Sequence, residues 1–193
     1  MSDPLVALSA ALGTRDEECI RAALERAAEE ADPVAVEEVL LQAHLFVGFP
    51  DALEAMVVWR EVSGRPAPDP SREGEPLWEE RGAAVCARVY GDNYSALRRN
   101  VAALHPDLDR WMVVGGYGRV LGRPGLDLAT RELCIAALLA TLGAPRQLHS
   151  HLRGALNAGA STDEVEAAVD VACALLSEER AAEVRGLWAR VKG

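Results

Sequence analysis

The chain has 193 residues and a formal charge of −10, with a pI near 4.9, a balance that excludes nucleic acid or an anionic membrane as its main partner. Half of the residues are hydrophobic but only 5% are aromatic, so Ala, Leu and Val must fill the core, and the composition favours helix over strand. No apolar run approaches the roughly 20 residues that cross a bilayer, and the start MSDPLVALSAALG has no basic leader, so a soluble cytoplasmic chain is expected.

In chain order, residues 15–31 and 33–47 read as helices split at Asp32-Pro33, where Asp32 can cap and Pro33 can open the second. Val36, Val39, Leu40 and Ala43 carry a helical stripe through that second helix. Gly48-Phe49-Pro50 predicts a break, followed by a short helix over 51–62. The stretch SGRPAPDPSREGEP, residues 63–76, is rich in proline and reads as a linker or an extended wrapping segment. Helices are expected again over 77–89, 93–104 and 106–114. GGYGRVLGRPG, 115–125, reads as a glycine-rich loop, but its glycine spacing and lack of a preceding strand exclude a dinucleotide fingerprint.

Asp127 can cap a helix that runs to about Leu142. Gly143-Ala144-Pro145 then turns the chain into the segment QLHSHLRGALNAG, 147–159. Ser161 or Thr162 caps the next helix, with Asp163 and Glu164 in its first turn, and a last helix ends near Trp188. The expected fold is all-α, with a module over 1–62, the linker at 63–76 and a second helical domain over 77–193. A faint echo between CIRAALERA, from Cys19, and HLRGALNAG, from His151, raises the prospect of two related helical modules.

The cysteines, Cys19, Cys86, Cys134 and Cys173, lie far apart without a CxxC pair, so they read as buried thiols rather than a disulfide framework or a zinc site. On a helical wheel Leu148, Leu152, Ala155, Leu156 and Gly159 form one apolar stripe. His149 and His151 fall about 200° apart, on opposite edges of it, and cannot grip one metal ion. Glu132, in the apolar segment DLATRELCIAALLATL, shares a face with Ile135, Ala136 and Leu139. A carboxylate buried there needs a partner, and the next helix offers one. A Glu on one helix and a His on the next is a plausible proton-transfer pair; equally, such a contact can simply join two helices.

The segment YGRVLGRPGLDLATRELCIAALLATLGAPRQLHSHLRGALNAG resembles the core of the carboxymuconolactone decarboxylase family, which includes the AhpD-like (alkylhydroperoxidase D-like) proteins. The likeness spans about 115–175, and EEVLLQAHLFVGFP, 37–50, resembles a further piece of the pattern. The resemblance implies an AhpD-like helical bundle, assembly into rings, and a Glu–His pair that moves protons. By motif position that pair is Glu132 and His151, with His149 beside it. The peroxidase branch carries CxxC seven and four residues before the motif histidine, where this chain has Ala144 and Gln147. A dithiol cycle has neither thiol there.

The decarboxylase branch implies a small carboxylated lactone as substrate and no cofactor or metal. Arg131, Arg119 and Arg123 are candidate clamps for the carboxylate; for Arg119 and Arg123 the alternative is surface solvation, and for Arg131 a helix-start salt bridge. Three readings stand: a cofactor-free decarboxylase-like lyase, an antioxidant protein with peroxiredoxin-type activity at a lone cysteine, and a non-catalytic helical assembly. A small-molecule partner is expected, with no nucleic acid and no membrane. The surplus of apolar helix face predicts a homo-oligomer.

Overall fold

The computed structural model describes residues 2–193, and every regular element among them is helical, as the composition predicts. The chain forms two compact units, one built from the residues up to Pro68 together with Gly125–Gly193, the other from Asp69–Pro124. This partition differs from a boundary at the linker alone, because the N-terminal helices share a core with the C-terminal ones.

The first unit contains α1 (Pro4–Thr14), α2 (Glu17–Glu30), α3 (Pro33–Ser63), α7 (Leu128–Leu142), α8 (Pro145–Ala158), α9 (Thr162–Cys173) and α10 (Glu178–Lys192). Helix starts are fixed by side-chain caps: Asp32 accepts from Val34 N, Asp127 from Thr130 N, and Ser161 forms a reciprocal capping box with Glu164. Within α3 the expected break is a kink, since Gly48 adopts φ 85° ahead of Pro50 and the helix then resumes.

Helix α1 is absent from the sequence-based elements. Leu5, Val6 and every residue from Leu8 to Gly13 are buried, so no 3.6-residue period marks it. It packs on α7 as the centre of the unit, with α2 and α8 against α1 and α7 respectively. Helices α3 and α9 each touch both central helices, and α10 closes over α8 and α9. Thus α1–α2–α3 and α7–α8–α9 occupy corresponding places. Cys19, however, is in the first turn of α2, whereas His151 is in the second turn of α8.

The central contact is close. A Cβ on Gly13 would lie 2.1 Å from Thr141 Oγ1 and 2.4 Å from the Leu138 carbonyl oxygen. Ser9 Oγ donates to the Cys134 carbonyl at 2.7 Å, and Thr141 Oγ1 donates to that of Ala10 at 2.8 Å, so the two buried hydroxyls are satisfied across the same contact.

The second unit contains α4 (Glu75–Tyr90), a 3₁₀ turn (Gly91–Asn93), α5 (Tyr94–Leu104), α6 (Pro106–Trp111) and a π-helical segment, Met112–Leu121. That last segment corrects the expected glycine-rich loop, of which only the end beyond Leu121 is irregular. Val113, Val114, Tyr117, Val120 and Leu121 are buried, which supplies the reason to keep helical hydrogen bonding. Its glycines serve approach: a Cβ on Gly118 would meet the Trp78 carbonyl oxygen at 1.9 Å, and one on Gly82 would meet that of Val113 at 2.1 Å. No helix among the described residues is long and apolar enough to cross a membrane.

Candidate active site

The α7–α8 hairpin builds the site. Helix α7 is buried continuously from Arg131 to Thr141, and Gly143, in the left-handed region at φ 81°, ends it. Pro145 opens α8, whose C-terminus is closed by Gly159 at φ 109°. The buried face of α8 is Leu148, His151, Leu152, Gly154, Ala155 and Ala158, rotated from the expected stripe toward His151 and away from Leu156. His149 is half-buried on the other side.

Returning antiparallel, α8 brings His151 Nδ1 to 2.8 Å from Glu132 Oε2. Glu132 has no exposed surface, while the histidine retains 6%. With the carboxylate accepting, Nδ1 is the donor of this contact, and Nε2 is the ring nitrogen left to face a further partner. Nε2 makes no hydrogen bond among the described residues, and the other carboxylate oxygen, Glu132 Oε1, is buried without a partner. A buried acceptor left in that state carries a desolvation cost of about 1–3 kcal/mol, unless a ligand or solvent donor meets it. The ring of Phe46, on α3, stands edge-on to the imidazole at 5.8 Å between centroids.

Arg131 is buried and committed elsewhere. Its Nη2 donates to Glu38 Oε2 at 2.8 Å, its Nη1 to Gln42 Oε1 at 3.2 Å, and its Nε to the Leu126 carbonyl at 3.2 Å. Gln42 Nε2 in turn donates to the Arg131 carbonyl at 3.4 Å. This network ties α3 to the start of α7, one residue from Glu132. Neutralising Glu38 with Arg131 also keeps a second carboxylate in this core from standing uncompensated.

Glu38, Gln42 and Phe46 were not singled out from the sequence. Their signal is a spacing of four through the apolar stripe of α3, which puts two polar side chains on a buried face. The remaining candidates, Arg119 and Arg123, belong to the second unit. Arg119 is exposed, with its guanidinium 5.4 Å from the Trp78 ring centroid, and Arg123 is half-buried. Cys134 is fully buried, and burial pushes its thiol far above the usual cysteine range. Among the described residues no cluster of three or more His, Cys, Asp or Glu has the arrangement of a metal site.

Residues 106–189 match the model of the Carboxymuconolactone decarboxylase family, and the chain belongs to that family. It is 31% identical over 88 residues to the 4-carboxymuconolactone decarboxylase of Acinetobacter baylyi, covering 45% of this chain and 66% of the relative. It is also 28% identical over 146 residues to Peroxisomal protein 2 of Schizosaccharomyces pombe, covering 73% of this chain and 68% of the relative. The chain thus spans about two thirds of the length of each relative.

Proposed function

We propose that this protein is a cofactor-free lyase of the decarboxylase type, which moves a proton between the Glu132–His151 pair and a small carboxylated lactone or related organic acid. The observation that carries this reading is the buried 2.8 Å contact between Glu132 and His151, with Glu132 Oε1 left without a partner. Loss of carbon dioxide leaves an electron pair on the substrate carbon, delocalised into a neighbouring carbonyl, and a proton must reach it. Glu132 holds the imidazole in one tautomer, and His151 Nε2 is the position from which a proton is taken or delivered. Arg131 acts here as a positioning residue through Glu38 and Gln42. The buried Cys134 thiol and the lack of CxxC favour this chemistry over peroxidase chemistry.

The working form we propose is a cytoplasmic homo-oligomer. Leu41 and Leu45 before the kink at Gly48, and Phe49, Leu53 and Val57 after it, are exposed at a spacing of four within each half of α3, a broken apolar ridge suited to cover by a second copy.

The test is release of carbon dioxide from carboxylated lactones, followed together with uptake of solvent deuterium into the product. Glu132→Gln and His151→Asn should each lower the rate by about 10²- to 10⁴-fold. If the native protein neither decarboxylates such lactones nor exchanges deuterium, the acid–base reading fails and a non-catalytic helical assembly replaces it.

A further inference from the structure

We propose that the groove between the α7–α8 hairpin and α10 binds an organic anion with an apolar body, at a site separate from the Glu132–His151 pair. The cavity measures about 860 Å³, within the size range of small-molecule sites. Leu139, Leu148 and Val184 form a buried apolar floor, and Leu187 borders it. Leu139 lies seven residues beyond Glu132 on α7, about 10 Å along the helix axis.

The charges around this floor are uneven. Arg180 and Arg190 line the groove, with Glu183 as its carboxylate. An adjoining depression shares Pro145 and Leu187 with it and adds Arg146 and His149. Arg180 donates to the carbonyls of Ala140 at 3.3 Å and Thr141 at 3.0 Å, and so offsets the negative C-terminal end of α7 at the groove wall. Arg190 and Arg146, in contrast, make no side-chain hydrogen bond or ion pair among the described residues. A Cβ on Gly186 would lie 3.8 Å from Arg190 Nη1, so this guanidinium folds back along α10 beside the groove.

Most arginines of the same unit are committed. In the groove between α2 and α3, a cavity of about 330 Å³, Arg15 and Arg21 already pair with Asp51 and Glu61. Two uncommitted guanidiniums beside an apolar floor are therefore a local feature, in a chain whose net charge of −10 would otherwise repel an anion. Guanidinium engages a carboxylate through two parallel hydrogen bonds, which identifies the ligand class as an aliphatic or aromatic carboxylate. Because the site lies apart from the proton-transfer pair, it stands independently of the function proposed above.

The test is calorimetric titration of the full chain with decanoate, with decylamine as the control of opposite charge. Decanoate should bind saturably at one site per chain and decylamine should not. Arg190→Ala and Arg146→Ala, both on exposed side chains, should each weaken decanoate binding about tenfold, and Glu132→Gln should leave it unchanged. Absence of saturable binding would overturn the proposal, as would equal binding by the double arginine variant. Binding lost in Glu132→Gln but kept in the arginine variants would place the ligand at the proton-transfer pair instead. If decanoate does not bind while Leu187→Asp changes the oligomeric state, the groove is a contact between copies and the proposal falls.

Discussion

At the scale of single residues, burial separates side chains that can react from those that only pack. Cys134 is fully enclosed, with its thiol pushed far above the usual range, while Cys19 is half-exposed. Thiolate, not thiol, attacks a disulfide reagent. In the native protein Cys19 should therefore react with an aromatic disulfide first, and Cys134 only on unfolding; rapid labelling of Cys134, read by peptide mass, would contradict the burial described. Burial also raises the Cys173 thiol, so it should lag behind Cys19. Glu132 and His151 were legible as candidates because a carboxylate in an apolar helix demands a partner. Their pairing across 19 positions depended on the register of α8 against α7, which periodicity alone leaves open.

Among the elements, the α1–α7 contact is the one where a small change is felt most. Gly13→Ala would drive a methyl group into the Leu138 carbonyl and the Thr141 hydroxyl. Backbone on the far side cannot yield cheaply, so a loss of about 1–3 kcal/mol is expected from denaturant unfolding. Gly115→Ala, where a Cβ meets nothing within 4 Å, is the control and should be close to neutral. Asp127→Ala removes the cap of the helix that carries Glu132, and should cost about 1 kcal/mol. The Asp127 carboxyl is held below its ordinary range: burial pushes it up, but hydrogen bonds from Thr130 and nearby backbone N–H groups outweigh that effect. These caps were readable from sequence because they are local. The π-helical segment was not, because glycines that permit close packing look the same in sequence as glycines that permit a loop.

At the scale of the molecule, acid stability depends on carboxylates held ionised by the fold. Burial pushes Glu37 up, yet hydrogen bonds from Arg60 at 2.6 Å and Trp59 at 3.3 Å bring its carboxyl below the usual value. A lowered folded pKa contributes stability above the unfolded value, near 4.3, and that contribution disappears as pH falls through the folded pKa. Glu37→Gln should therefore be less stable than the native chain at pH 7, by about 1–3 kcal/mol, and the gap should close toward pH 3. Thermal melts across that range provide the check. For assembly, Leu45→Glu with Leu53→Glu should shift sedimentation to a smaller species if the α3 ridge covers a second copy; an unchanged profile would remove that role.

The sequence by itself determined the helical class, the main breaks and caps, and the presence of a carboxylate and a histidine on successive helices. Each rests on local chemistry: propensity, proline and glycine, polar side chains next to backbone N–H groups, and the spacing of apolar residues. Only the tertiary structure decided that α1 is a central helix, since a helix buried all round has no period to read. It also decided that Arg131 turns to Glu38 and Gln42 rather than toward the proton-transfer pair, because a guanidinium's partner is chosen by which helix packs against it. Those contacts join residues about ninety positions apart, Arg131 with Glu38 and with Gln42. Only packing brings such distant positions together.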